Sequence, residues 1–346
     1  MKGHIRILLL VLTALLPVSL HAEELDMNEY LLGHVGDSYG WHITTIKDHH
    51  VTIHLPVILY SKTTGWHCFS SKHIEEGEEY EGFRIAGDDE KHSGKLVEIT
   101  DGGAVKPLDI SITKNVFGMM INSLIVLVIV LCGARWYRRH DAREEAPRGF
   151  AGLVEMMVTM VEDDIIRPCV GKDYKRYSPY LLTAFFFIFI NNLMGIVPFF
   201  PGGANITGNI AVTLGLALCT FFAVNLFGNK HYYKDIFWPN VPVFLKAFPL
   251  MPLIEIIGVF TKPFSLTVRL FANILAGHMM ILGVLALIFI TSSMGAALNG
   301  GLSAVAVLFA VFMDILECLV AFLQAYVFTM LSSVFIGLSR QEPEEA

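Results

Sequence analysis

The chain has 346 residues, 54% of them hydrophobic and only 16% charged, with a mean hydropathy of +0.55. Soluble domains carry about 25% charged residues, so the composition excludes an ordinary soluble protein. The net charge of −7 excludes nucleic acid as a partner, which would call for a basic surface.

In chain order, residues 1–22 read as a secretory signal. Lys2 and Arg6 precede the apolar run Ile7–Leu16, and the stretch Pro17–Ala22 leads to Glu23 and Glu24. The apolar core is short for a membrane span. Cleavage is expected after Ala22, although Leu20 stands where a small residue is usual. Residues 23–114 then hold 17 acidic and 8 basic side chains, a balance of −9. This block is expected outside the cell membrane as a small β-rich or irregular domain. "HVTIHLPVILY" has the β-branched content of strands, and "EEGEEYEG" and "AGDDEKHSG" carry turn signals. Eight of the 13 histidines fall in the block, but His49, His50 and His54 lack the paired spacing of a metal site and read as surface residues. The five cysteines contain no CxxC pair, so they imply neither a disulfide framework nor a thiolate metal site.

Four uncharged runs follow, residues 115–134, 178–229, 270–313 and 318–339, of 20, 52, 44 and 22 residues. One helix crossing a bilayer needs about 20. The first span is expected at 116–133. Arg135, Arg138, Arg139, Arg143 and Arg148 follow it closely, and such clustered positive charge marks a cytoplasmic loop. Signal and loop charge therefore give one topology, with the acidic block outside. Residues 150–176 offer apolar positions at helical spacing, either for a helix lying in the cytoplasmic interface or for a packed helix. The 52-residue run breaks at "PFFPGGANITG", giving a hairpin of spans near 180–199 and 209–228. Two long helices are expected at 250–290 and 301–338, with a cytoplasmic tail at 341–346.

The polar residues inside those last helices carry the chemistry. Glu255, Lys262, Ser265, Arg269 and Asn273 are 7, 3, 4 and 4 residues apart, which keeps them on one stripe of a helix. Asp314, Glu317 and Gln324, spaced 3 and 7, share a face of the other helix; Thr267 and His278 lie off the first stripe. An arginine at bilayer depth costs on the order of 2.5–3.5 kcal/mol on insertion scales, so it persists only with compensation. It stays protonated at any working pH. It cannot relay a proton, but it can favour proton release from a neighbouring carboxylate. His278 and Glu317 can carry protons. The structural alternative is a buried Arg–Glu pair that holds a bundle together. No P-loop, HExxH, catalytic triad or dinucleotide fingerprint is present. The residues alone therefore lead to a membrane subunit with a proton or cation path.

"KPFSLTVRLFANILAGH" resembles the signature of subunit a of F-type ATP synthases. "LQAYVFTMLSSVFI", "NNLMGIVPF" and "AVTLGLAL" resemble the family in the last, second and third spans. The likeness covers residues 115–340, with the acidic block as an extension. It implies an all-α polytopic membrane protein of about five transmembrane helices, the last two long and channel-forming, behind the small N-terminal domain. Arg269 matches the family's essential arginine, which faces the carboxylate of the rotating c-ring, flanked by Ser265 and Asn273. Glu255 and Lys262 fall on the half-channel to the cytoplasm, and Asn192, His278, Glu317 and Gln324 on the half-channel from outside. Some bacterial members carry the histidine and the glutamate exchanged between positions 278 and 317, and some have Asp where Gly195 stands. The implied partners are the c-ring, the peripheral-stalk b subunits and membrane lipids, with no cofactor and ATP chemistry in other subunits. A secondary cation/proton antiporter, or a membrane-anchored interaction protein, is the alternative on the residues alone.

Overall fold

The computed structural model describes residues 36–46, 49–87, 92–100, 103–141, 145–197, 200–237, 250–291 and 296–341. The expected signal at 1–22 lies outside the described residues, as does all of the tail but residue 341.

The N-terminal region is a set of small antiparallel sheets. Strand β1 (Gly40–Ile46) pairs with β2 (His49–His54). Strand β3 (Pro56–Ser61) lies between β4 (Gly65–Ser70) and β8 (Leu108–Asp109). Strand β6 (Leu96–Thr100) lies between β5 (Phe83–Ile85) and β7 (Gly103–Val105). The alternation in β3 buries Val57 and Leu59 and turns Tyr60 outward, as a strand's two-residue period requires. The β3–β4 hairpin closes at Gly65, whose φ of +88° suits glycine. Val57, Leu59, Phe69, Ile74, Phe83, Leu96 and Tyr39 form one core.

Polar ties join the sheets. Ser61 donates to the buried Glu98 carboxylate at 2.7 Å and Thr63 donates to it at 2.5 Å. The Tyr39 hydroxyl donates to Asp109 at 2.5 Å and accepts from the Leu96 amide at 3.3 Å. Burial, reinforced by the Asp109 carboxylate, pushes the Tyr39 phenol well above its ordinary range.

The remainder is helical. Helix α1 (Lys114–Tyr137) begins at Thr113, whose side chain caps the Val116 amide. Its 24 residues reach about 36 Å, enough for a bilayer core of about 30 Å. Leu124, Leu127 and Leu131 are exposed, as a lipid-facing helix demands, while Asn122 is buried and donates to Asn191 at 3.0 Å. Helices α2 (Phe150–Thr159), α3 (Arg167–Val170) and α4 (Tyr174–Ile196) run on through a π-helical turn at Met160–Ile166. Helix α5 (Ile210–Leu226) is 17 residues long, α6 (Lys230–Phe237) is short, and α7 (Leu250–Ile290) and α8 (Ala296–Arg340) are 41 and 45 residues. Among the described residues, four helical stretches are long and apolar enough to cross a membrane, and α5 is a shorter apolar helix. The about five membrane helices expected are therefore present, behind a β-rich N-terminal region.

Residues 161–170 of the segment 150–176 are packed against the helices, whereas Phe150, Leu153 and Met156 in its first part stay exposed. Val161, Ile165, Ile166 and Val170 are buried in the same core as Leu181, Leu266, Leu270 and Ile336. A Cβ at Gly337 would lie 1.9 Å from the Cys169 carbonyl oxygen, so the end of α8 rests on α3 backbone to backbone. At that end Arg340 donates to the Phe227 carbonyl at 3.0 Å and to Asn229 at 2.9 Å, and it pairs with Asp173. The cation also sits where the helix dipole favours positive charge.

Candidate functional site

Helices α7 and α8 lie antiparallel, since Lys262 reaches the ring of Phe335 while His278 meets Glu317. Small residues set how closely they approach. A Cβ at Gly277 would come within 3.2 Å of Glu317 Oε1, and Ala321 and Ala325 are fully buried. Close backbones of this kind are how helices associate within lipid. His278 Nδ1 stands 2.5 Å from Glu317 Oε1. Glu317 is 6% exposed, and its second oxygen, Oε2, has no hydrogen-bond partner among the described residues.

Helix α4 supplies the third wall. A Cβ at Gly195 would lie 3.8 Å from His278 Cε1, an ordinary van der Waals separation, so α4 passes directly beside the imidazole. Asn192 is buried. It donates to the Ala321 carbonyl at 3.3 Å and accepts from Thr207 at 2.5 Å. Ala321 is four residues beyond Glu317, one helical turn on the same face. Asn192, His278 and Glu317 thus converge from three helices on one turn of α8.

The other candidates are not drawn into this cluster. Ser265, Arg269, Asn273 and Glu255 are all exposed on α7. Arg269 makes no ion pair among the described residues, and the carboxylate nearest to it in purpose, Glu317, is bound to His278 instead. The structural Arg–Glu pair is absent from the described residues. Nine residues separate Arg269 from His278, about 14 Å along the axis and half a turn around it. Glu255 lies about 21 Å from Arg269 in the other direction. Lys262 is half-buried, its ammonium 5.6 Å from the Phe335 ring centroid. With Tyr232, Asn225, Phe221 and Phe335 it edges a small, partly open pocket between α5, α6, α7 and α8. Gln324 is half-buried two turns beyond Glu317, and Asp314 is exposed one turn before it.

A family model described as ATP synthase A chain matches residues 119–337, well over half of the chain. The chain belongs to this family. ATP synthase subunit a 2 of Prosthecochloris aestuarii is 43% identical over 249 residues, covering 70% of this chain and 72% of that protein. The corresponding protein of Chlorobaculum tepidum is 42% identical over 240 residues, covering 68% of this chain but 65% of the relative, just under two thirds of its length. ATP synthase subunit a of Myxococcus xanthus is 40% identical over 256 residues, covering 72% and 78%. A second family model, a domain of unknown function (DUF8433), matches residues 30–114. The resemblance read from "SLTVRLFANILAG" is thereby established at the level of the family.

Several polar partners of this subunit-a fold escaped the sequence reading. Thr207 sits in "PFFPGGANITG", which the sequence marks only as a helix break; its hydroxyl gave no sign of an acceptor 15 residues earlier. The Asn122–Asn191 bond lies across α1 and α4, and Tyr180, Thr220 and Ser332 link α4, α5 and α8 at 2.8 and 3.2 Å. Asparagine and hydroxyl residues inside apolar runs were the available signal, since lipid makes each of them seek a partner.

Proposed function

We propose that this chain is the proton-conducting stator subunit of an F-type ATP synthase, with two half-channels meeting the c-ring. The observation that carries the reading is the buried His278–Glu317 pair, with an exposed Arg269 about 14 Å further along the same helix that meets no carboxylate among the described residues. A proton entering from outside passes Asn192, His278, Glu317 and Gln324 and neutralises a ring carboxylate. The neutral site enters lipid, where a charged one would be costly. After rotation the site meets the inner half-channel at Glu255, Lys262 and Ser265 and releases its proton. Arg269, with Asn273 beside it, stands between the two routes and keeps them from joining, its fixed charge favouring the ionised form of the ring carboxylate.

In this reading the subunit performs no covalent chemistry of its own. Its partners are the c-ring, the peripheral-stalk b subunits and lipid. It resides in a bacterial inner membrane, with residues 1–22 removed as a signal, residues 23–114 outside, residues 115–340 as the channel domain, and residues 341–346 in the cytoplasm. The cluster of arginines after α1 supports that orientation. The stand-alone antiporter finds no support in the family match.

The test is ATP-driven acidification of inverted vesicles carrying Arg269→Ala, with ATP hydrolysis and complex assembly measured alongside. Lost pumping in an assembled complex is expected. Normal pumping would return Arg269 to a structural role.

A further inference from the structure

The β region touches the helical region where the proton entrance lies. Trp41 of β1, 4% exposed, is seated edge-on against Phe117 of α1 at 6.0 Å and against Phe200 at 5.3 Å between ring centroids. It shares one cluster with Ala204 and Ile206, both fully enclosed. Two hydrogen bonds tie the segment before β1 to the start of α1: the Lys114 amide donates to the Ser38 carbonyl at 2.8 Å, and the Asn115 amide to the Asp37 carboxylate at 3.1 Å. The described part of the α4–α5 connection, residues 200–209, is thus held between Trp41 and α1. Gly118 makes that seat possible, since a Cβ there would stand 2.9 Å from Ala204 Cβ.

This connection then reaches the site. The Ala204 carbonyl oxygen lies 3.7 Å from a Cβ at Gly195, beside His278, and Thr207 donates to Asn192 at 2.5 Å. Asn192 in turn bonds the Ala321 carbonyl, one turn from Glu317. A continuous run of packed and hydrogen-bonded groups therefore joins Trp41 to the His278–Glu317 pair, a network of the kind that carries energetic coupling between sites.

We propose that the β region sets the geometry of the proton entrance, with Trp41 as a positioning residue that acts through residues 200–207 on Asn192. This rests on the proton-path reading above. It gives the N-terminal domain a role in conduction: an amide held by Thr207 keeps one orientation beside the relay pair, whereas a released connection lets Asn192 turn and water enter irregularly.

The experiment measures passive proton flux, per assembled complex, in membranes stripped of the catalytic part of the synthase. Trp41→Ala and Thr207→Val are each expected to lower flux about fivefold, the rate equivalent of one neutral hydrogen bond. The double variant should fall no further than the lower single variant, because both act on the same bond. Trp41→Phe should keep the parental flux. Gly118→Ala, which lifts residue 204 off α1 from the other side, should reproduce the loss. Parental flux in Trp41→Ala complexes, or losses that multiply in the double variant, would overturn the proposal. If Trp41→Ala prevents assembly, Gly118→Ala decides, and unchanged flux there is equally fatal. Failure of the proton-path reading is separate, since it would show as normal pumping in Arg269→Ala.

Discussion

The polar groups of α7 and α8 fall into two sets with opposite surroundings. His278 and Glu317, with Asn192 from α4, are bonded across helices and largely enclosed by this chain. Ser265, Arg269 and Asn273 line one exposed strip of α7, and among the described residues Arg269 meets no carboxylate. Within lipid the first set has partners in this chain for all but Glu317 Oε2 among the described residues, whereas the second would leave a guanidinium facing hydrocarbon at a cost of several kcal/mol. The difference teaches that the His278–Glu317–Asn192 cluster is assembled by the subunit alone, while the exposed arginine strip is compensated by nothing among the described residues.

That contrast can be broken most severely at Glu317. Glu317→Gln removes the carboxylate of the pair but keeps its shape, so on the proposed path proton flux should fall at least about a hundredfold, the range seen when a proton-transfer group is lost. Passive flux with assembly measured in parallel checks this; retained flux would mean that the pair is not on the path. Next in size is Gly277→Val. The added side chain meets Glu317 Oε1 at van der Waals distance or closer and forces α7 from α8, costing about 1–3 kcal/mol. Thermal unfolding of the purified subunit in the complex, together with flux, should show both properties reduced. The same thermal measurement sharpens the contrast on the other strip, where Ser265→Ala should leave stability within about 0.5 kcal/mol.

Smaller effects are expected away from both strips. The Tyr39 phenol has its protonated form favoured by folding, so its contribution is complete below its unfolded pKa of about 10 and declines as pH rises through the higher folded value. Protease protection of the β region in the intact complex should therefore weaken above about pH 10, and Tyr39→Phe should lessen that alkaline loss. Also small is Asn122→Ala, which breaks the bond to Asn191. Interhelical bonds in membranes average about 0.6 kcal/mol, so a slight fall in unfolding temperature with unchanged flux is expected.

Much of this was legible before any coordinates. The five apolar segments follow from hydropathy because lipid compels each span to be long, uncharged and helical. The strip Ser265, Arg269, Asn273 follows from spacing, because helical geometry alone puts residues four apart on one face. The docking of residues 160–170 was not legible: Val161, Ile165 and Ile166 have a helical period, but periodicity does not say whether lipid or protein covers the face. Thr207 beside Asn192 was hidden for a related reason, since a loop of prolines and glycines encodes a break and not a destination.

By itself, then, the order of residues determined the number of spans, the β-rich character of the acidic block and the placement of Arg269 on an intramembrane strip, all consequences of local period and of what lipid tolerates. Only the tertiary structure decided which polar groups meet. It joined His278 to Glu317 through the absence of a side chain at Gly277, brought Asn192 to the Ala321 carbonyl, and set Trp41 upon the α4–α5 connection. Those pairings span 39 to 159 residues of chain, and contacts at such separation depend on packing between helices, which no local pattern records.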